Sequence, residues 1–363
     1  MYLVKFSELS LHGKRKRGLI NSLIRNIKKV YGDVRVEELS GRVVVHSKED
    51  LLHRVFGISS YARALELQGL SLRSMLPHID KDKGYKVSVK KTFSPLEKSS
   101  LDIAKEMAEE LNNSGYRAAV KNADDEIRIE IRKRRVFAYL KSWERKGPGG
   151  FPYGSYGNGL VMFSGGFDSP VATWLAARKG LKLDFFAVMF NDDMEKEVLS
   201  LWRKLCQDWH IEGTFYGIRS CPITTGILAK SPAGIKQILL KKSLYYLAKK
   251  VAGKRAVITG ESLNQTSTQR ARLLRKIENN IDGLFLRPLI TYTKEEVMEK
   301  AKEIGTYEMS LKNKEYCSIE RVVREEAEEE LIEKEFSKIR PLLDVLRVEE
   351  LGKATIKNRP SQE

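Results

Sequence analysis

The run LVMFSGGFDSP at residues 160–170 constrains this chain more than any other stretch. Its four apolar residues read as a short buried strand. Pro170 suits the first turn of a helix, where its missing N–H would find no intrahelical partner anyway. Between them lie Ser164, Gly165, Gly166, Phe167, Asp168 and Ser169. Glycines let the backbone turn sharply and approach a ligand, and the free amides at a helix start suit an anion. The hydroxyls of Ser164 and Ser169 can donate, and Asp168 can orient the loop or help to hold Mg²⁺ against phosphates. The loop matches neither GxxxxGK[ST] nor GxGxxG, which sets aside the two commonest phosphate-loop patterns. The plain alternative is a tight strand-to-helix turn without a ligand.

Downstream, apolar runs alternate with helical patterns. Helices are predicted over 171–179 and 195–209, and strands over 183–190 and 214–218. That alternation argues for an α/β domain on a parallel sheet. Upstream, GPGGFPYGSYGNG at 147–159 is too rich in Gly and Pro for a helix or central strand and reads as a linker.

Ahead of the linker the pattern is α+β. A strand over 2–6, the basic loop HGKRKRG, a helix over 19–30, a strand over 42–46 and a short helix over 51–56 make a first unit ending near Ser60. A second unit runs to about Lys146 as helix, strand over 85–91, helix, then strands over 116–121, 127–133 and 135–141. In its second helix Ile103, Met107 and Leu111 recur every fourth residue and make one apolar face. In one strand Ile127, Ile129 and Ile131 point one way and Arg128 and Arg132 the other, so one face packs and the opposite face is expected to offer cations. The acidic stretch at 324–335 reads as a solvated helix.

With 363 residues, two or three domains are expected. The formal charge is +17, and 31 of the 65 Lys and Arg but only 19 of the 48 Asp and Glu precede residue 150. A front half this basic draws a polyanion by releasing condensed counterions, so nucleic acid is the leading partner; a solvated basic surface is the alternative. Cys206, Cys221 and Cys317 are too few and scattered for a disulfide framework, and no CxxC marks a zinc site. A reducing cytoplasm is the expected compartment. Neither a signal peptide nor a membrane span is expected.

SGGFDS resembles the pyrophosphate-binding loop of the PP-loop ATP pyrophosphatases, which cleave ATP between the α and β phosphates and adenylate a carbonyl oxygen. Further segments extend the likeness. GESLNQ at 260–265 with Gln269, RPLI at 287–290, YTKEE at 292–296, IGT at 304–306 and EYC at 315–317 follow in the order and spacing of the tRNA 4-thiouridine synthetase (ThiI) family. KFSELSLHGKRKR resembles that family's N-terminal ferredoxin-like domain, and the module from Tyr61 its THUMP domain. The resemblance implies a ferredoxin-like domain over 1–60, a THUMP RNA-binding domain over 61–146, the linker, a PP-loop domain of adenine nucleotide alpha hydrolase type over 160–345 and a tail over 346–363. In that family the front domains grip tRNA, largely by its acceptor end, and the back domain converts the uridine at position 8 to 4-thiouridine.

The resemblance also implies roles for residues. Met162, Phe163, Ser164 to Ser169, Ala187, Val188, Lys241, Gly260 and Gln269 would line an ATP site, with Ala187 and Val188 against adenine and Lys241 on phosphate oxygens. A solvated helix lysine is the other reading of Lys241. Lys294 would stabilise charge as pyrophosphate leaves, although it could be an exposed lysine at a helix start, where a cation is disfavoured. Cys317 would carry sulfur as a persulfide, attack the adenylated carbon and displace AMP. Independently of the resemblance, Cys221 follows the strand over 214–218, where its loop would face the C-terminal edge of the sheet, and is expected to resolve that persulfide by pairing with Cys317; Cys206, at helical spacing among apolar residues, reads as core.

After Cys317 too little chain follows for the rhodanese domain of some relatives, so a rhodanese-lacking form is expected, fed by a persulfide-carrying protein or by sulfide. Some rhodanese-free relatives hold an iron–sulfur cluster on three cysteines including a CxxC; the second cysteine is lacking at Cys221-Pro222-Ile223, which leaves the cluster open. A homodimer is likewise open. The rival readings are another PP-loop enzyme modifying a tRNA base and a non-catalytic THUMP-type RNA-binding protein.

Overall fold

A computed structural model describes residues 1–6, 13–92, 94–219, 226–227, 231–313, 323–324 and 326–356. The chain divides into two compact units, Met1–Pro152 and Tyr153–Lys357.

The first unit contains β1 (Tyr2–Lys5), α1 (Lys16–Tyr31), β2 (Arg35–Leu39), β3 (Arg42–His46), β4 (Ser60–Arg63), β5 (Leu65–Leu67), β6 (Gly84–Thr92), α2 (Ser100–Asn113), β7 (Arg117–Ala118), β8 (Asp125–Arg132), β9 (Arg135–Leu140) and β10 (Glu144–Lys146). They make two five-stranded sheets, ordered β10-β4-β1-β3-β2 and β5-β9-β8-β6-β7. The first is antiparallel throughout. In the second, β6 runs parallel to β8 and β7. Ile103, Met107 and Leu111 of α2 and Ile127, Ile129 and Ile131 of β8 share one core, as their spacing requires. Ser99 caps α2, its hydroxyl accepting from the Asp102 N–H at 3.1 Å.

The helical reading from Tyr61 is corrected. YARALEL forms β4 and β5, because β4 is drawn between β1 and β10 and tertiary pairing outweighs helix propensity. The short helix near Leu51 is a 3₁₀ turn at Leu52–Arg54. The strand expected over 116–121 contracts to Arg117–Ala118. β2 was not anticipated.

The cationic face of β8 is also corrected. Arg132 is 2% exposed, its guanidinium on Glu130 Oε2 at 2.6 Å, and Arg42 reaches Glu130 Oε1 at 3.1 Å. Tyr139 donates to the same carboxylate at 3.1 Å, and Arg132 Nη1 donates to the Ser40 carbonyl. Arg128 is taken by Glu126 and Glu144, and Arg135 by Glu37 and Glu66. These arginines join the two sheets of the front unit; they do not face solvent as a bare basic stripe. Burial alone would raise the Glu130 carboxyl, but Arg42 and Arg132 hold it below its ordinary 4.5.

The second unit contains β11 (Asn158–Met162), α3 (Asp168–Arg178), β12 (Lys182–Met189), α4 (Asp192–Trp209), β13 (Gly213–Arg219), α5 (Lys236–Ala252), β14 (Ala256–Ile258), α6 (Ala271–Glu278), β15 (Phe285–Leu286), α7 (Lys294–Glu303), α8 (Tyr307–Lys312), α9 (Glu329–Asp344) and β16 (Glu349–Ala354). The sheet order is β15-β14-β11-β12-β13-β16. All neighbours are parallel except β16, which is antiparallel to β13. The segment from residue 346, read as a tail, therefore supplies an edge strand.

Helices cover both faces, so the strands are apolar on both sides. Along β12 the pleat sends Phe186 and Val188 into a core with α5, α6 and α9, while Phe185 meets Trp202 and Phe215 on the other side. The acidic helix α9 is only partly solvated: Ile332, Phe336, Ile339 and Leu343 are buried, and Glu333 pairs at 2.7 Å with Lys242, itself fully buried. No described helix is long and apolar enough to cross a membrane.

Replacing Arg132 by Ala strands the buried Glu130 carboxylate with one cation and should cost about 3 kcal/mol in urea unfolding, whereas Lys98→Ala, losing an exposed pair with Glu106, should cost less than about 1 kcal/mol. A carboxyl whose folded pKa is depressed contributes fully above the unfolded value and loses that contribution as pH falls through the folded value. Stability of the front unit should therefore decline on acidification below about 4.5, and Glu130→Gln should flatten that decline.

Candidate active site

Strand order reverses at β11, with β12 and β13 on one side and β14 and β15 on the other. Segments leaving the C-terminal ends of β11 and β14 diverge there and open a crevice, the usual ligand position in such sheets. Residues 164–169 follow β11, and Thr259, Gly260 and Glu261 follow β14.

The loop is braced from within and without. Ser169 Oγ accepts from the Ser164 N–H at 2.8 Å and donates to the Ser164 carbonyl at 2.9 Å. That hydroxyl, expected to face a ligand, thus holds the turn closed. Outside, Asn313 Nδ2 donates to the Gly165 carbonyl at 3.0 Å and Ser310 Oγ to the Gly166 carbonyl at 3.3 Å. The Phe167 ring lies 5.3 Å from that of Tyr307. α3 begins at Asp168, and the first-turn amides of any helix lack intrahelical partners, which leaves donors at the crevice. A Cβ added to Gly260 would stand 2.8 Å from the Asp168 carbonyl carbon and 2.9 Å from the Ser169 nitrogen, so glycine is required by close approach.

One cavity of about 280 Å³ is lined by Met162, Phe163, Ser164, Asp168, Ser169, Ala187, Val188, Lys241, Gly260 and Gln269, all expected from the sequence. Gly165, Gly166 and Phe167 form the outer turn and do not line it. Phe186, Met194, Leu244, Tyr245, Thr259 and Glu261 line it without having been expected. Leu244 and Tyr245 were discoverable: at three and four residues beyond Lys241 they share its helix face. The floor is apolar and the rim carries charge.

That rim is built of ion pairs. Glu261, with a side chain 7% exposed, faces Lys241 Nζ at 2.5 Å through Oε1. The contact is ionic and lacks hydrogen-bond geometry. Its Oε2 accepts from Arg287 Nε at 2.9 Å, Thr259 Oγ1 at 3.1 Å and the Tyr245 hydroxyl. Burial would raise the Glu261 carboxyl, but Lys241, Tyr245 and Arg287 hold it below the ordinary range. Burial, then the Glu261 charge, push the Tyr245 phenol up, so it remains a donor. Lys294 does not line the cavity; its Nζ lies 2.9 Å from Asp168 Oδ1, which does, and 5.4 Å from the Phe167 ring centre. A capping box between Thr293 and Glu296 fixes the start of α7 and with it Lys294. Among the described residues the buried Gln269 Oε1 has no hydrogen-bond partner.

Cys317 and Cys221 lie outside the described residues. Cys206 is 3% exposed, and burial pushes its thiol well up, which fits packing and not reactivity. Among the described residues no group of three or more His, Cys, Asp or Glu is placed to hold a metal ion.

A glycine turn at the switch point of a parallel sheet, without a Walker lysine, together with a ferredoxin-like domain at the N-terminus, defines a PP-loop α/β protein. The family model described as Thiamine biosynthesis protein (ThiI) matches residues 154–340, and that described as ThiI ferredoxin-like domain matches residues 1–62. The chain belongs to the ThiI family. A tRNA sulfurtransferase of Desulfurococcus amylolyticus is 31% identical over 351 residues, covering 88% of this chain and 70% of that protein. One of Thermoplasma volcanium is 30% identical over 380 residues, covering 98% and 79%. Among solved structures, a 4-thiouridine synthetase–RNA complex with bound ATP superposes with a TM-score of 0.82 at 23% identity, covering 96% of this chain and 98% of that one. PH1313 from Pyrococcus horikoshii Ot3 gives 0.63 at 21% identity, covering 84% and 99%. At these identities the two structures speak for the fold.

Gly260→Ala should push β14 from the start of α3 and lower stability by about 1–3 kcal/mol. Thermal unfolding of the variant beside wild type measures this, and an unchanged midpoint would mean that the loop moves freely.

Proposed function

We propose that this chain is a tRNA sulfurtransferase that uses ATP to convert uridine 8 of tRNA into 4-thiouridine. The observation that carries the reading is the cavity at the reversal point of the sheet, where the SGGFDS loop, an apolar floor and Lys241 meet, with Lys294 paired to the lining Asp168, in a chain of the ThiI family. Its relatives from Desulfurococcus amylolyticus and Thermoplasma volcanium carry the name tRNA sulfurtransferase. The related 4-thiouridine synthetase was crystallised with RNA and ATP.

The residues fit an adenine nucleotide. Ala187 and Val188, at the end of β12, supply an apolar surface for the base, and the unpartnered Gln269 carbonyl oxygen is an acceptor beside it. The amides of the loop and the first turn of α3, with Lys241, receive the phosphates. Asp168 is the carboxylate at the loop that would hold Mg²⁺, which would neutralise charge on the phosphates. Lys294, 2.9 Å from Asp168, would stabilise charge on departing pyrophosphate.

The uridine O4 attacks the α-phosphorus of ATP and pyrophosphate leaves. The terminal sulfur of a Cys317 persulfide attacks C4, and AMP departs with the original oxygen. Cys221 attacks Cys317, forming a disulfide and leaving sulfur on the base; an external thiol reduces the pair for the next turnover. Sulfur arrives from a persulfide-carrying protein, whose outer sulfur passes to the Cys317 thiolate, or from sulfide, which takes the external thiol's place by attacking Cys317 of the disulfide and leaves a Cys317 persulfide and a free Cys221 thiol; a reducing cytoplasm is where such thiols persist. The front modules, residues 1–60 and 61–146, hold the tRNA.

Incubation with tRNA, ATP, Mg²⁺ and sulfide or a persulfide donor, followed by digestion and mass spectrometry, should yield 4-thiouridine. Asp168→Ala and Cys317→Ser should abolish it. Product formed without ATP, or retained by Asp168→Ala, would refute the assignment.

A further inference from the structure

A carboxylate that is nine-tenths buried at the edge of a cavity for a polyphosphate calls for explanation, since an uncompensated negative charge there would repel the ligand. We infer that Glu261 is a positioning residue of the nucleotide site, whose Oε1 holds the Lys241 ammonium at the cavity while the rest of its carboxylate is fixed by protein donors. The inference rests on the nucleotide reading above and adds to it a residue that does not itself meet the phosphates.

The two oxygens do different work. Oε2 is saturated by Tyr245, Arg287 and Thr259, from α5, the segment after β15 and the end of β14. These donors set the carboxylate plane, and the Arg287 guanidinium offsets its charge. Among the described residues Oε1 meets only Lys241, at 2.5 Å.

Lys241 has a long flexible stem, and the other described contact of its ammonium is Thr268 Oγ1 at 3.4 Å. Without Glu261 that stem could carry the ammonium away to solvent. With it, the cation stays on the cavity wall with donor capacity remaining. An arriving phosphate then meets a cation already in place and need not order one, which lowers the cost of binding. The opposite role, in which Glu261 competes with phosphate for Lys241, predicts the reverse effect of its removal.

Calorimetry with ATP and ligand-observed NMR with adenosine should be run on wild type, Glu261→Gln, Glu261→Asp, Lys241→Met and the Glu261→Gln/Lys241→Met double variant, with a thermal midpoint for each. Asp keeps the charge but retracts it by one methylene, and serves if Gln does not fold. Both Glu261 variants should bind ATP about tenfold more weakly while adenosine changes by less than about twofold. In the Lys241→Met background the Glu261 substitution should add nothing, because the two act as one unit. Parallel loss of adenosine and ATP, additive losses in the double variant, or ATP binding as tight as wild type would overturn the inference. Wild type that fails to bind ATP would instead remove the nucleotide reading beneath it.

Discussion

The start of α3 and the end of β14 approach so closely that Gly260 leaves no room for a side chain against Asp168 and Ser169. The rest of the site depends on this contact. It brings the loop after β11 and the segment after β14 to one cavity, although about ninety residues of sequence separate them. It also brings the Asp168 and Glu261 carboxylates to the lining of one cavity, each with its own lysine. The cavity is therefore charged but paired, and its cations are delivered from α5 and α7 by helices that pack elsewhere.

Pairing also governs the front unit. Its surplus of positive charge is real, but Arg42, Arg128, Arg132 and Arg135 are engaged by glutamates between the two sheets. Buried cations bound to carboxylates contribute little field to a distant polyanion. The residues left to supply it lie elsewhere, among them Lys14, Arg15 and Arg17 at the start of α1, all exposed. Net charge counted along a chain therefore overstates the cations available to a partner wherever acidic residues alternate with basic ones on a strand that is buried on both faces.

Regularity separates what could be read in advance from what could not. The periodic apolar faces of α2 and β8 and the alternation of strands and helices after residue 158 depend on local repeats, and they form as their spacing requires. YARALEL carries no strand alternation, and only the pairing of β4 with β1 and β10 and of β5 with β9 makes it extended. β16 is a polar stretch that becomes a strand because the β13 edge is open to it. In the site, the loop was legible because its residue types carry chemistry in sequence, and the other expected cavity residues only through the resemblance to a known family. Tyr245 was not, and Glu261, although it lies in the GESLNQ segment, had no role, since a glutamate and a tyrosine acquire such meaning only from what surrounds them.

By itself the sequence determined the glycine turn between a strand and a helix, the α/β order of the back unit and its family, all of which are encoded in neighbouring residues. Tertiary structure alone decided which charges remain available, because pairing is set by distances between residues remote in sequence. It closed Ser169 onto its own loop, buried Arg132 against Glu130, joined Lys294 to Asp168 and gathered three donors and the Lys241 ammonium around Glu261. Composition states how many charges a chain has, and only the packed fold, by burying one partner against another, states which of them a ligand can meet.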